Sequence, residues 1–188
     1  MPDCYLFGGP NGAGKTTLAL ALLPALGVRE FSNADLIARG ISPLDSDSVA
    51  FQAGAILVRR LRELADRGTD FGTESTLSAR AFAPFVQRCQ ERGYRFNLIY
   101  VWPRSVELSI ARVAARVRAG GHDIPQATIR RRFETGRRNF HDLYLPLADA
   151  WRVYDNRERP TLVAHGIKGE PPHILQPDVW RGISPRSC

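Results

Sequence analysis

Eight consecutive residues near the start of the chain, Gly9-Pro10-Asn11-Gly12-Ala13-Gly14-Lys15-Thr16, fit the spacing G-x-x-x-x-G-K-[ST] without a gap. The spacing has a physical cause. Glycines permit positive φ and let main-chain amides approach phosphate oxygens with no Cβ in the way. Those amides form an anion-binding nest, and a helix beginning near Lys15 aims its positive end at the same oxygens. An apolar run, Tyr5-Leu6-Phe7, leads into the loop and a helical pattern leaves it, as a strand–loop–helix unit requires. The eight residues, with Thr17 beyond them, are therefore candidate nucleotide ligands. Lys15 is placed to bridge the β- and γ-phosphates of ATP, and the Thr16 hydroxyl to bind Mg²⁺.

Such a unit commits the chain to an α/β fold, and the remaining pattern agrees. Helical periodicity over residues 15–23 stops near Pro24, and 28–32 reads as a second strand. A long helix is predicted over 46–67, with Asp45 or Ser46 as N-cap, Gly68 past its end, and Ile56, Leu57, Leu61 and Leu64 as its buried stripe. Residues 69–73 form a weak third strand, 79–92 a helix closed by Gly93, and 96–102 the most apolar strand. Val106, Ile110, Val113 and Val117 mark a helix ending at Gly120-Gly121, and after a loop over 120–126 another helix runs through Arg138. Residues 152–154 and 161–164 read as a final pair of strands, while the tail from 168 to 188 carries no clear pattern. The expected architecture is a three-layer P-loop NTPase sandwich around a mainly parallel sheet, with 1–188 as a single domain.

Charge narrows the function. The net +7 comes from 26 basic residues, of which only Lys15 and Lys168 are lysine. Segment 112–138 holds eight arginines against Asp123 and Glu134, which leaves +6 in 27 residues. A cluster this local predicts a polyanion site, and its helical pattern predicts an arginine-rich lid hinged at the glycine pair. Arg112 and Arg116 are four residues apart and share a helical face, where they could stabilise charge on a transferring phosphoryl group. The strand over 96–102 ends in Trp-Pro instead of a metal-binding Asp. That counts against motor- or transporter-type ATPases and suits small kinases whose metal is held by the loop hydroxyl, phosphates and water. Cys4, Cys89 and Cys188 are scattered and odd in number, which fits a reducing cytoplasm. No stretch approaches the roughly 20 apolar residues of a membrane span, and no signal peptide is expected.

Two further clusters follow strands, where ligands of open α/β sheets bind. Asn33-Ala34-Asp35 places a carboxylate that could receive the proton of an attacking hydroxyl, or serve as a turn or cap residue. Thr73-Glu74-Ser75-Thr76 crowds an acid with hydroxyls that could bind an acceptor or a Mg²⁺-bound water, or could cap the next helix.

Taken together, the phosphate loop, Asn33-Ala34-Asp35, Glu74-Ser75-Thr76-Leu77-Ser78, Gly120-Gly121-His122-Asp123-Ile124-Pro125 and Tyr154-Asp155-Asn156 resemble the zeta-toxin family of P-loop kinases in its short chromosomal form. The resemblance implies ATP- and Mg²⁺-dependent phosphorylation of UDP-N-acetylglucosamine or a related UDP-sugar, with a possible antitoxin protein as partner. It makes Asp35 the match to the catalytic base and Lys15 the loop lysine. Glu74 and Thr76 match the substrate-binding acid and hydroxyl, with Arg80 as a further substrate contact. Arg112 fits the first lid arginine of the family. The second falls near His122, so its role passes to that histidine or to Arg130, Arg131 or Arg132. Two other readings stand beside this one. A nucleic-acid end kinase or nucleoside kinase would use the basic segment, although the charge is confined to the one lid. A nucleotide-switched binding protein would need no acceptor-side base such as Asp35.

Overall fold

The computed structural model describes residues 1–121 and 123–184. Its centre is one seven-stranded sheet in the order β2-β3-β1-β4-β5-β6-β7. These strands are β1 (Asp3–Gly8), β2 (Glu30–Ser32), β3 (Phe71–Ser75), β4 (Arg95–Trp102), β5 (Ala150–Asp155), β6 (Thr161–Ile167) and β7 (His173–Ile174). β2, β3, β1, β4 and β5 are mutually parallel, whereas β6 and β7 add on antiparallel. The helices are α1 (Lys15–Ala25), α2 (Ala34–Ile41), α3 (Ala50–Asp66), α4 (Ala83–Glu91), α5 (Val106–Arg118), α6 (Gln126–Asn139), α7 (Leu145–Leu147) and α8 (Pro177–Ile183).

The central strands are apolar without alternation because both of their faces are covered. Cys4 and Leu6 of β1, with Phe96, Leu98, Tyr100 and Trp102 of β4, pack against α3, α4 and α6 through Leu61, Leu64, Val86 and Phe133. The intervening Tyr5, Phe7, Ile99 and Val101 pack on the opposite face against Leu18, Ala19 and Leu23 of α1. Two helical layers thus enclose one sheet, the three-layer sandwich predicted from the sequence. A satellite cluster of Val113, Ile124 and Ile129 joins α5 to α6, so the arginine-rich pair stands as one unit over the carboxyl ends of the strands.

Several boundaries differ from the sequence prediction for local reasons. α1 runs through Pro24, whose missing amide removes one ladder bond, to the Leu20 carbonyl, and the helix ends one residue later at Ala25. α2 was not anticipated, yet Asn33 caps it strongly by accepting from the amides of Asp35 and Leu36. α3 begins only at Ala50, because Asp45 caps a turn instead, accepting from the Ser48 amide at 3.3 Å. The helix expected over 79–92 starts as a 3₁₀ turn at Arg80–Phe82. Past α6 the chain continues through a π-helical turn, Phe140–Tyr144. In the tail, β7 pairs with β6, and Trp180 of α8 stacks on Trp151 with ring centroids 5.5 Å apart. Among the described residues no helix is long and apolar enough to cross a membrane.

Candidate active site

Strand order places the site. Gly8 ends β1 in register with Ser75 of β3 on one side and Tyr100 of β4 on the other, so the glycine loop leaves from the middle of the sheet. Gly14, the residue before α1, has φ +92°. A Cβ there would lie 2.3 Å from Asn156 Nδ2. That amide itself donates to the Ala13 carbonyl at 2.7 Å, so Asn156, just beyond β5, buttresses the loop from behind. Gly9, with φ +144°, passes the Val101 carbonyl so closely that a Cβ would sit 2.3 Å from it.

Lys15 opens α1 and is buried, with its ammonium donating to the Pro10 carbonyl at 3.0 Å. Burial pulls its pKa below the ordinary lysine value. Glu74 and Asp35 oppose that shift, whereas Arg116 and Arg132 reinforce it. An anion entering the loop would raise that pKa again by supplying counter-charge to the buried ammonium. Next along α1, the Thr16 hydroxyl donates to Glu74 Oε2 at 2.7 Å and receives a longer contact from Asn33 Nδ2 at 3.4 Å. The β4 strand ends without an acid, and the carboxylate that meets the loop hydroxyl comes from β3 instead.

Asp35 occupies the first turn of α2, across the cleft from the loop. Arg116 Nη1 of α5 stands 3.9 Å from Asp35 Oδ2, the outer limit of an ion pair between partly exposed groups. On the same helix, Arg112 donates to the carbonyls of Gly12 at 3.4 Å and Arg157 at 3.0 Å. The cleft has a volume of about 490 Å³. Its walls include Asn11, Gly12, Gly14, Lys15, Thr16 and Thr17 from the loop side, and Asp35, Glu74 and Thr76 from the acceptor side. Arg112, Arg116 and Arg132 form the roof. A second cavity of about 560 Å³ shares Gly12, Gly14, Thr17 and Arg112 with the first and extends along α1 to Asn156, Glu158 and Pro160.

The predicted residues therefore converge, with particular exceptions. Gly9, Pro10 and Ala13 are buried and frame the loop without lining the cleft. Arg80 is exposed at the start of the 3₁₀ turn and does not line the cleft. His122 lies outside the described residues. Arg130 instead pairs with Glu107 at 3.0 Å, which leaves Arg132 as the member of its triplet on the cleft wall. Sequence reasoning assigned no role to Asn33 or Asn156, although both stand in segments it had singled out. It also missed Arg39, which lines the cleft one helical turn beyond Asp35.

The donor set suits the expected ligands. The loop amides, Lys15 and the roof arginines present positive charge to phosphates. The Thr16 hydroxyl and Glu74 carboxylate supply oxygens of the kind a hard divalent cation takes. Among the described residues no three His, Cys, Asp or Glu side chains cluster for a metal. Asn11 Oδ1 is buried and has no hydrogen-bond partner among the described residues.

Comparison with known proteins follows the same line. The zeta toxin family profile matches residues 1–165. An uncharacterized protein of Haemophilus influenzae is 30% identical over 125 residues, covering 66% of this chain and 88% of that one. Among solved structures, a chain of the AvrRxo1-ORF1:-ORF2 complex with ATP superposes with a TM-score of 0.76 at 18% identity over 97% of this chain. This chain spans 63% of that one. The PezAT chromosomal toxin–antitoxin system of Streptococcus pneumoniae gives a TM-score of 0.67 at 20% identity, covering 97% of this chain and 78% of that one. A putative kinase from Chloroflexus aurantiacus gives 0.58 at 18% identity, with 72% and 80% covered. At such identities the structural matches show the shared fold.

Proposed function

The chain belongs to the zeta toxin family, and on that premise we propose that it is an ATP-dependent kinase whose acceptor is a hydroxyl of UDP-N-acetylglucosamine or a related UDP-sugar. One observation carries the reading: a phosphate loop, a carboxylate facing it and three arginines share a single cleft of about 490 Å³. A nucleotide switch would need the loop alone. The acid across the gap, under a cationic roof, is what transfer to a hydroxyl requires.

In this reading the triphosphate lies in the loop and the nucleoside extends into the adjoining cavity along α1. Glu74 and Thr76 orient the acceptor on the far wall. Asp35 receives the hydroxyl proton as the acceptor oxygen bonds to the γ-phosphorus, and the bond from that phosphorus to the bridging oxygen breaks to release ADP. Lys15 and the roof arginines hold the equatorial oxygens while charge spreads over them. Bound Mg²⁺ would neutralise phosphate charge, held by Thr16 with Glu74 behind it. Arg112 has to exchange its two carbonyl partners for phosphate oxygens.

The basic segment supports a small acceptor over a nucleic acid. Arg130 and Arg137 are engaged with Glu107 and Glu134, while Arg112, Arg116 and Arg132 turn toward the cleft. A partner protein in the manner of an antitoxin belongs to the same proposal, and so does the treatment of 1–188 as one kinase unit. The deciding experiment incubates the protein with γ-labelled ATP and a panel of UDP-sugars, nucleosides and oligonucleotides. Label should enter UDP-N-acetylglucosamine or a close relative, and Lys15→Ala should abolish it. Labelling of oligonucleotide ends in preference to every UDP-sugar would overturn the acceptor assignment.

A further inference from the structure

The segment that carries Thr76 is held in an unfavourable backbone conformation by groups behind the cleft wall. Leu77 is fully buried with φ +57°, a region that a bulky L residue adopts only when its surroundings impose it. Part of the restraint is local, since the Leu77 amide donates to Ser75 Oγ at 3.0 Å. The rest comes from the far end of the arginine-bearing helix. Asn139 Nδ2 donates to the Leu77 carbonyl at 2.8 Å and to the Ser78 carbonyl at 3.3 Å. Tyr144 Oη donates to the Ala79 carbonyl at 2.7 Å. At Gly136 the helix backbone approaches so closely that a Cβ would lie 2.4 Å from the Thr76 carbonyl oxygen. Four successive carbonyls of the loop are thereby met by α6 and the π turn that follows it.

That helix is seated rigidly. Phe133 packs on Trp102 with ring centroids 4.7 Å apart, and Phe140 stacks on Tyr100 at 4.1 Å. One turn before Gly136, the same helix delivers Arg132 to the cleft. The π turn falls where the helix meets the loop, and such turns concentrate at functional sites.

We propose that Asn139 and Tyr144 are positioning residues for phosphoryl transfer: by gripping the carbonyls of residues 77–79 they set Thr76 against Arg132, so one helix registers both acceptor and phosphoryl group. The inference rests on the assignment of Thr76 to the acceptor. It also limits the roof's freedom, because α6 cannot swing away from the cleft without dragging the acceptor loop with it.

The test uses the full chain with UDP-N-acetylglucosamine as acceptor probe and a non-hydrolysable ATP analogue for nucleotide affinity. Asn139→Asp keeps the side-chain size, removes both N–H donors and sets a carboxylate against two carbonyls. It should lower kcat/KM for the acceptor on the order of 10²-fold, the usual consequence of a misplacement near 1 Å, mostly through KM. Analogue affinity should stay within about twofold, since no loop ligand is touched. Tyr144→Phe, losing one bond, should show the same pattern more weakly. Combined with Thr76→Val, Asn139→Asp should add little to the Thr76→Val defect, because both act through one contact. Additive losses, or a parallel fall in analogue affinity, would overturn the inference and leave Asn139 as a general stabiliser. Thr76→Val with unchanged kinetics, or no turnover of the probe by the wild type, would refute the acceptor assignment itself. In that event hydrogen exchange still decides the positioning. Asn139→Asp should speed exchange across residues 75–79 without changing the phosphate loop, and unchanged exchange there would refute the anchoring.

Discussion

Replacing Asp35 by Asn separates catalysis from folding in this protein, because the structure makes the two effects differ in size. Asn keeps the volume and some hydrogen-bonding capacity while removing the charge and the basicity. The start of α2 survives, since Asn33 accepts from the residue-35 amide at 2.7 Å and from the Leu36 amide at 3.2 Å regardless of the side chain. What the fold loses is a negative charge in the first helical turn, about 0.3–1 kcal/mol, and an ion pair to Arg116. That pair spans 3.9 Å with the carboxylate 59% exposed, so solvent screening keeps its contribution under about 1 kcal/mol. The melting temperature should therefore drop by only a few degrees, at about 2–4 °C per kcal/mol for a chain of this size. Transfer, by contrast, should fall about 10²- to 10⁴-fold, the usual contribution of a positioned base. At about 1.36 kcal/mol per decade this is roughly 3–5 kcal/mol of barrier, larger than the whole stability cost. Turnover of UDP-N-acetylglucosamine, calorimetric titration with an ATP analogue and a thermal melt on the same pair of proteins make the measurement. Nucleotide affinity should be unchanged. A kcat within about fivefold of wild type would refute the reasoning, and loss of nucleotide affinity would recast Asp35 as an indirect metal ligand.

Other expectations follow from the same geometry. Gly14→Ala places a Cβ 2.3 Å from Asn156 Nδ2 at φ +92°, so the bond to Ala13 must break and the loop must shift. Analogue affinity in calorimetry should fall at least ~10-fold, since strain of about 1–2 kcal/mol and a lost hydrogen bond of about 1 kcal/mol act together; wild-type affinity would show that the buttress is dispensable. Alanine at both Arg112 and Arg116 should lower kcat at least ~10²-fold with little change in the melt, because these side chains act on charge that develops during transfer; a change confined to acceptor KM would make them ground-state binders. His141 Nε2 donates to the Ile183 carbonyl at 2.9 Å, and burial holds its pKa below the ordinary 6.5, reinforced by Arg137 and opposed by that bond and Asp142. A depressed pKa means that the unfolded chain takes up the proton first, so this stabilisation is complete above 6.5 and is lost as pH falls through the lower folded value. The melting-temperature advantage of wild type over His141→Gln should narrow from about pH 7.5 to about pH 5.5, and a widening gap would contradict the sign.

Much of the site was legible because its chemistry is contiguous. The loop is eight residues in a row, Asp35 follows the segment that became β2, and Glu74 and Thr76 stand at and just past the end of β3. Asn33 was overlooked as a cap because Asp35 beside it drew the same reading, and only the observed bonds to two amides assign the role. Arg80 was placed among the substrate contacts by family likeness. The chain turns into a 3₁₀ start there, which leaves that side chain exposed and off the cleft wall. The buried stripe of α3 was read from its large side chains, and the buried Ala53 belongs to it as well. Leu61 and Leu64 are in the core, whereas Ile56 and Leu57 are only half-buried and Ala65 is buried in addition.

By itself the sequence determined the local units: the glycine-rich strand–loop–helix, the apolar strands covered on both faces, and the concentration of arginine in one helical pair. These follow from steric and periodic rules that act over a few residues, so a one-dimensional pattern contains them. Only the tertiary structure decided which distant groups meet. Thr16 finds Glu74 across 58 positions, and Ala13 finds Asn156 across 143. Of the arginine triplet, Arg132 turns inward while Arg130 is taken by Glu107. The reason is the strand order. Placing β1 between β3 and β4, with β5 next, brings the ends of strands far apart in sequence to one edge of the sheet. Parallel pairing then sets the depth at which each side chain stands, and only those that arrive level with the loop can act on a phosphate.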